Sequence, residues 1–195
     1  MNHVKTNCVI FKAFAFVALM TIQAISATIS ISPTTNDIIT GNSIDIDILI
    51  SALDEDKDLS VFDFNLLFDP SVLQYSSYNL DVNLGDLSKN EAFDASFGLT
   101  APGILNLASF SGLMDLNFQP ENFKLATVTF KGISSGISML NFANLILGDQ
   151  NGNEMAFTTV KGSVKSVPES STMVLLGSSI SVLIAAYFSK KKVTV

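Results

Sequence analysis

The 195-residue chain contains no arginine and no tryptophan, and its single cysteine, Cys8, and single histidine, His3, both sit at the extreme N-terminus. If that N-terminal segment is removed on export, the mature protein has no thiol and no imidazole. A Cys nucleophile, a Ser-His-acid triad, a His or Cys zinc site and a disulfide framework are then all excluded. The lack of disulfides does not itself indicate the cytoplasm, because roughly 140 residues can bury a sufficient core without staples. Positive charge is also scarce. From Ala27 to Ser166 six lysines face seventeen acids, a net charge of −11. Such a surface repels phosphate backbones and anionic lipid heads, so nucleic acid and a basic membrane patch are excluded as partners.

The two ends read as addresses. Residues 1–27 carry a short basic start (Lys5, Lys12), an apolar stretch from Ala13 to Ile22, and small residues at Ala24 and Ser26. That order is the pattern of a secretory signal helix, with cleavage expected after Ser26 or Ala27. The alternatives are an uncleaved anchor and a core helix. At the other end, Met173–Phe188 has no charged residue. As a helix its sixteen residues reach about 24 Å, against a bilayer core of about 30 Å. Extension over 172–189, with lysine stems reaching toward the headgroups, makes a workable transmembrane helix. Lys190, Lys191 and Lys192 follow at once and hold the tail 190–195 on the cytoplasmic side, which places the acidic domain outside.

Val167, Pro168 and Glu169, followed by a short apolar helix and a basic cluster, resemble a PEP-CTERM sorting signal spanning 167–195. The resemblance implies an exosortase-type sorting machinery as a partner, an inner-membrane-anchored precursor, and a final place at the cell surface or in an extracellular, biofilm-type matrix. Ser170 stands where that pattern usually has a second proline. If recognition by the sorting enzyme is weakened by it, the segment remains a plain membrane anchor.

Between the ends, residues 28–166 have a dominant period of two. SIDIDILI puts Ile44, Ile46, Ile48 and Ile50 on one face, and VFDFNLLF puts Phe62, Phe64, Leu66 and Phe68 on one face against Asp63 and Asn65 on the other. Further β-rich runs are TISIS, ILNLASF, KLATVTF, ISMLNFANLIL and MAFTTVKGSVKSV, with turn signals at Pro102-Gly103 and Asn151-Gly152. No long window shows a helical period, apart from one turn at PSVLQY. The expectation is an all-β sandwich.

Three stretches in order make the expectation more specific: VFDFNLLFDPSVLQY, FDASFGLTAPGILNLASFSG and LGDQNGNEMAFTTVKGSV. Together they resemble cohesin domains, jelly-roll sandwiches related in fold to carbohydrate-binding modules. The resemblance implies a jelly-roll β-sandwich of about nine strands, flanked here by the N-terminal signal helix and the C-terminal transmembrane helix. It also implies a non-catalytic module that grips a protein partner through one sheet face. By motif position the acidic contacts fall on Asp63 and Asp94; Asn65 is added as the outward neighbour of Asp63 from periodicity alone. The competing reading is that all three are ordinary solvated residues.

Other chemistry is weaker. Asp54 to Asp58 begins like a calcium loop, but Leu59 stands where the sharp turn needs glycine and Asn65 where a bidentate glutamate is required. A structural calcium held from separate loops stays open, and no other cofactor is implied. GDQNGNE reads as an Asn-Gly hairpin joining the last two strands. A glycan-binding or matrix-structural alternative rests on Tyr75 and Tyr78, the only tyrosines of the domain, which could equally cover a sandwich edge. Seventeen acids make a chance carboxylate pair inevitable, so such a pair is no evidence for a glycosidase.

Overall fold

The computed structural model describes residues 26–53, 58–116 and 119–169. Among these described residues twelve strands form: β1 (Ala27–Ser32), β2 (Thr35–Ile39), β3 (Ser43–Ser51), β4 (Leu59–Leu67), β5 (Leu73–Leu80), β6 (Ala92–Asp94), β7 (Gly98–Ala101), β8 (Ile104–Ser111), β9 (Phe123–Gly132), β10 (Gly136–Asp149), β11 (Phe157–Val160) and β12 (Gly162–Val167). They make two sheets, one ordered β11-β1-β3-β9-β5 and one ordered β2-β12-β10-β4-β8-β6, with β7 also pairing β8.

The period-two strands fold as their patterns dictate. Ile46, Ile48 and Ile50 are fully buried, Ile44 packs against the same core, and Phe62, Phe64, Leu66 and Phe68 turn inward from the facing sheet. Phe64 meets Phe142 edge-on at 5.4 Å between centroids, and Phe68 lies 4.9 Å from Phe130. Offset or edge contacts of this kind suit the ring quadrupole; the first joins neighbouring strands β4 and β10 of one sheet, and the second links the two layers.

Twelve strands rather than about nine arise because the last β-rich run is divided and short strands form outside the runs. After TISIS and Pro33, TNDII adds β2, so β1 joins one sheet and β2 the other. Lys161 separates β11 from β12 in the same way. The segment FDASFGLTA pairs with β8 as two pieces, β6 beside 109–111 and β7 beside 104–106. In the gap, the Ser96 hydroxyl bonds both the amide and the carbonyl of Ala108 at 2.9 and 3.1 Å, standing in for a backbone ladder.

The Asn-Gly segment corrects a second expectation. Asp149 Oδ1 accepts from the amides of Asn151 and Asn153, each at 2.8 Å, and closes a tight turn. Only one bridge, Gly148 to Glu154, follows. The buried Met155 then draws the chain inward, and β11 crosses to pair in parallel with β1. The turn therefore changes sheets instead of making a hairpin.

At the domain's borders, β1 begins at Ala27 and β12 includes Val167. Val167 thus belongs to the last strand, its carbonyl accepting from Thr40 N at 2.8 Å, while Pro168 and Glu169 follow it exposed. The signal segment up to residue 25, the span 172–189 and Lys190 to Lys192 lie outside the described residues. Among the described residues no helix is long and apolar enough to cross a membrane.

Candidate protein-binding face

Three strands, β10, β4 and β8, supply the middle of one outer sheet face. Ladder partners in a sheet share a face, so Asp63 stands beside Ala108 and Ile146, and Asn65 beside Asn106 and Ala143. Both sequence-selected residues, Asp63 and Asn65, are outward and half-buried.

Asn106 organises the cluster. It is only 7% exposed. Its Nδ2 donates to Asp63 Oδ1 at 2.8 Å and lies 3.2 Å from Asn65 Oδ1 and 3.4 Å from the Phe64 carbonyl. Its Oδ1 accepts from Phe97 N at 3.0 Å, which anchors the irregular β6–β7 link. A buried amide with both ends engaged has one orientation and holds Asp63 in one rotamer. Asp63 Oδ2 accepts no hydrogen bond among those of the described residues, on a residue that is half-buried on the outer face. Sequence reasoning missed Asn106. Its signal was present, as a lone amide between Leu105 and Leu107 at an outward position of ILNLASF.

Apolar side chains border this polar centre. Ile146 is exposed beside Asp63, and Phe93 and Phe110, both exposed, stack at 5.0 Å on the neighbouring strands. Phe97 is 82% exposed. The face thus combines a held carboxylate with exposed apolar side chains.

Asp94 is placed differently from Asp63. It pairs in register with Ser109, whose position alternates with outward Ala108 and Phe110, so it belongs to the opposite side of β6, at the open edge of the sandwich. There Asp94 Oδ2 accepts the Tyr78 hydroxyl at 2.9 Å, and Oδ1 accepts Ser96 N at 2.9 Å. Tyr75 and Tyr78 lie partly buried against the core on edge strand β5. Burial first, and the Asp94 carboxylate second, push the Tyr75 phenol above the usual tyrosine range. For Tyr78 burial also leads, with Asp94 adding to it and Ser96 opposing. Among the described residues no group of three or more His, Cys, Asp or Glu is arranged to hold a metal, and 54–57 lie outside them. At the acidic turn beside that segment, burial and then nearby Asp115 raise the Asp58 carboxyl.

The two sheets pack as an all-β sandwich. The cohesin domain family model matches residues 27–166, and the chain belongs to that family. Among solved structures it is similar to the sixth cohesin of Acetivibrio cellulolyticus scaffoldin B, crystallised with a Cel5 dockerin mutant, at 17% identity and TM-score 0.61, covering 73% of this chain and 99% of that one. It is also similar to a Clostridium thermocellum cohesin solved with a dockerin (15% identity, TM-score 0.60, covering 73% and 99%). A non-cellulosomal cohesin from the archaeon Archaeoglobus fulgidus is comparable (17%, TM-score 0.56, covering 76% and 96%). No curated protein matches the chain in sequence.

Proposed function

We propose that the protein is an exported, non-catalytic recognition module that binds a dockerin-like or other protein partner through the β10-β4-β8 face, with Asp63 as the central polar contact and Asn65 beside it. The observation that carries this reading is the Asn106 amide, which fixes Asp63 and leaves its second oxygen outward amid Ile146, Phe110 and Phe93. Hot spots in protein interfaces combine such a fixed polar anchor with surrounding apolar contacts that exclude water. Asp94 serves the same face indirectly, by tying β6 to β5 through Tyr78.

Affinity capture from the cell envelope tests the reading. The immobilised protein should retain a protein partner that Asp63→Ala and Ile146→Glu each lose and that Asp45→Ala, on the other sheet's outer face, keeps. Loss with Asp45→Ala and retention with the first two would refute it.

Export and sorting belong to the same proposal. The N-terminal 27 residues direct secretion, and the apolar run Met173–Phe188 holds the precursor in the inner membrane, its Lys190 to Lys192 inside. An exosortase-type enzyme then processes the tail near Pro168-Glu169 and releases the module to the surface or matrix. Intact mass of the protein recovered outside the cell should show a C-terminus within 167–172. Recovery of the whole chain in the membrane alone would leave a plain anchor.

A further inference from the structure

The strands run between two poles that differ in their charge. β12 delivers Val167 to a pole built from Thr40–Asn42, Phe68–Val72, the Pro102-Gly103 turn and Gly132–Ser135. Hydrogen bonds from Thr40 N to Val167 O, Gly41 N to Gly132 O, Ile133 N to Val72 O and Phe68 N to Gly103 O tie these segments together. At this pole Ile39, Leu99, Ile133 and Ile137 are between 41% and 59% exposed. An open, largely apolar cleft of about 390 Å³, with Pro70, Tyr75, Leu99, Pro102 and Ile133 in its wall, lies among them. Charge there is only mildly negative, with the four acids Asp37, Asp45, Asp69 and Glu169 set against the two lysines Lys131 and Lys165.

The opposite pole, where β1 and β4 begin, gathers Asp58, Asp81, Asp115, Glu121, Asp149 and Glu154 against Lys124, together with the exposed Val82, Leu113 and Met114. The strong negative charge of the domain is therefore concentrated away from the end where β12 finishes.

We infer that the Val167 pole is a lipid-facing surface, resting in the headgroup layer of the bilayer that holds Met173–Phe188, with the acidic pole turned outward. This rests on the membrane reading of that run. Only residues 168–172 separate Val167 from Met173, a reach of about 20 Å even when fully extended. Half-exposed isoleucines, prolines and an amphipathic tyrosine suit an interface where one side is wet and the other apolar. Because both sheets run from pole to pole, the Asp63 face then stands upright on the membrane, open from the side.

The test uses the full chain, purified from an exporting bacterial host with Cys8→Ser, and a bimane label on one introduced cysteine: Ile133→Cys, Ile137→Cys or, at the acidic pole, Asn151→Cys. Each is reconstituted in phosphatidylethanolamine–phosphatidylglycerol vesicles containing a nitroxide lipid, and flotation is measured alongside quenching. The expected result is flotation of all three, with labels at 133 and 137 quenched several-fold more than the label at 151. Flotation with equal quenching at both poles overturns this inference and leaves the membrane span standing. Failure to float overturns the span and the inference together.

Discussion

The Tyr78 hydroxyl on β5 donates to Asp94 Oδ2 on β6 at 2.9 Å, and this bond joins the edge strands of the two sheets. Both residues emerged from the sequence as binding candidates, Tyr78 for glycan and Asp94 for protein. Their partnership gives them a shared structural role at the open side of the sandwich, where neither strand has a further backbone neighbour. Tyr78→Phe is expected to lower stability by about 1 kcal/mol, the usual net worth of such a bond. Asp94→Ala should cost more, because its Oδ1 also accepts Ser96 N, and the double variant little more than Asp94→Ala alone. Urea unfolding of the four proteins provides the cycle.

The same pair predicts an alkaline weakening. Burial and the neighbouring carboxylate raise the Tyr78 phenol above its ordinary value of 10.0. A group whose folded value is raised contributes stability below its unfolded value and loses it as pH rises through the folded one. The melting temperature should therefore hold to about pH 10 and fall above it, while absorbance at 295 nm reports phenolate. Tyr78→Phe should remove part of that fall, leaving the share due to Tyr75.

Asn106 is the most sensitive polar position of the β10-β4-β8 face. Asn106→Leu leaves the Phe97 amide without its acceptor and Asp63 without its donor. An unmet buried group costs about 1 to 3 kcal/mol. Asn106→Asp should be worse than its size suggests, because a second carboxylate then meets Asp63. Chemical denaturation gives the cost, and partner binding should fall in both variants even where the fold survives.

The legible parts of the fold were those where the chemistry is local. β3 and β4 alternate so regularly that Ile46, Ile48, Phe62 and Phe64 could be assigned to the core, and Asp63 and Asn65 to the outside, from spacing alone. β2 was not legible, since TNDII has one buried residue, Ile38, and stands only because it pairs in parallel with β12 across more than a hundred residues. The facing of Asp94 depends on how β6 registers against β8, and its partner Tyr78 lies in another sheet. Neither relation leaves a trace in a short window of sequence. Asn106 hid for a different reason: an amide on a strand reads as solvated until the chain that covers it, Phe97, is in place.

Two glycines separate backbone preference from crowding. Gly103 and Gly152 both have φ of +80°, but a Cβ on Gly103 would stand 2.6 Å from the Phe68 carbonyl, whereas Gly152 has open space. Gly152→Ala should cost about 1 kcal/mol from the left-handed backbone alone. Gly103→Ala should cost roughly 1 to 3 kcal/mol more, since the β7–β8 turn must shift away from Phe68. Thermal melts of the two variants compare the terms directly.

Hydrogen exchange on the complex with the captured partner tests the central claim most directly. Amides and flanking segments of β4, β8 and β10 around Asp63, Asn106 and Ile146 should slow on binding, while β1, β3 and β9 of the other sheet stay unchanged. Protection confined to the five-stranded sheet, or to the Tyr75–Tyr78 edge with the Asp63 face still exchanging freely, would contradict the account.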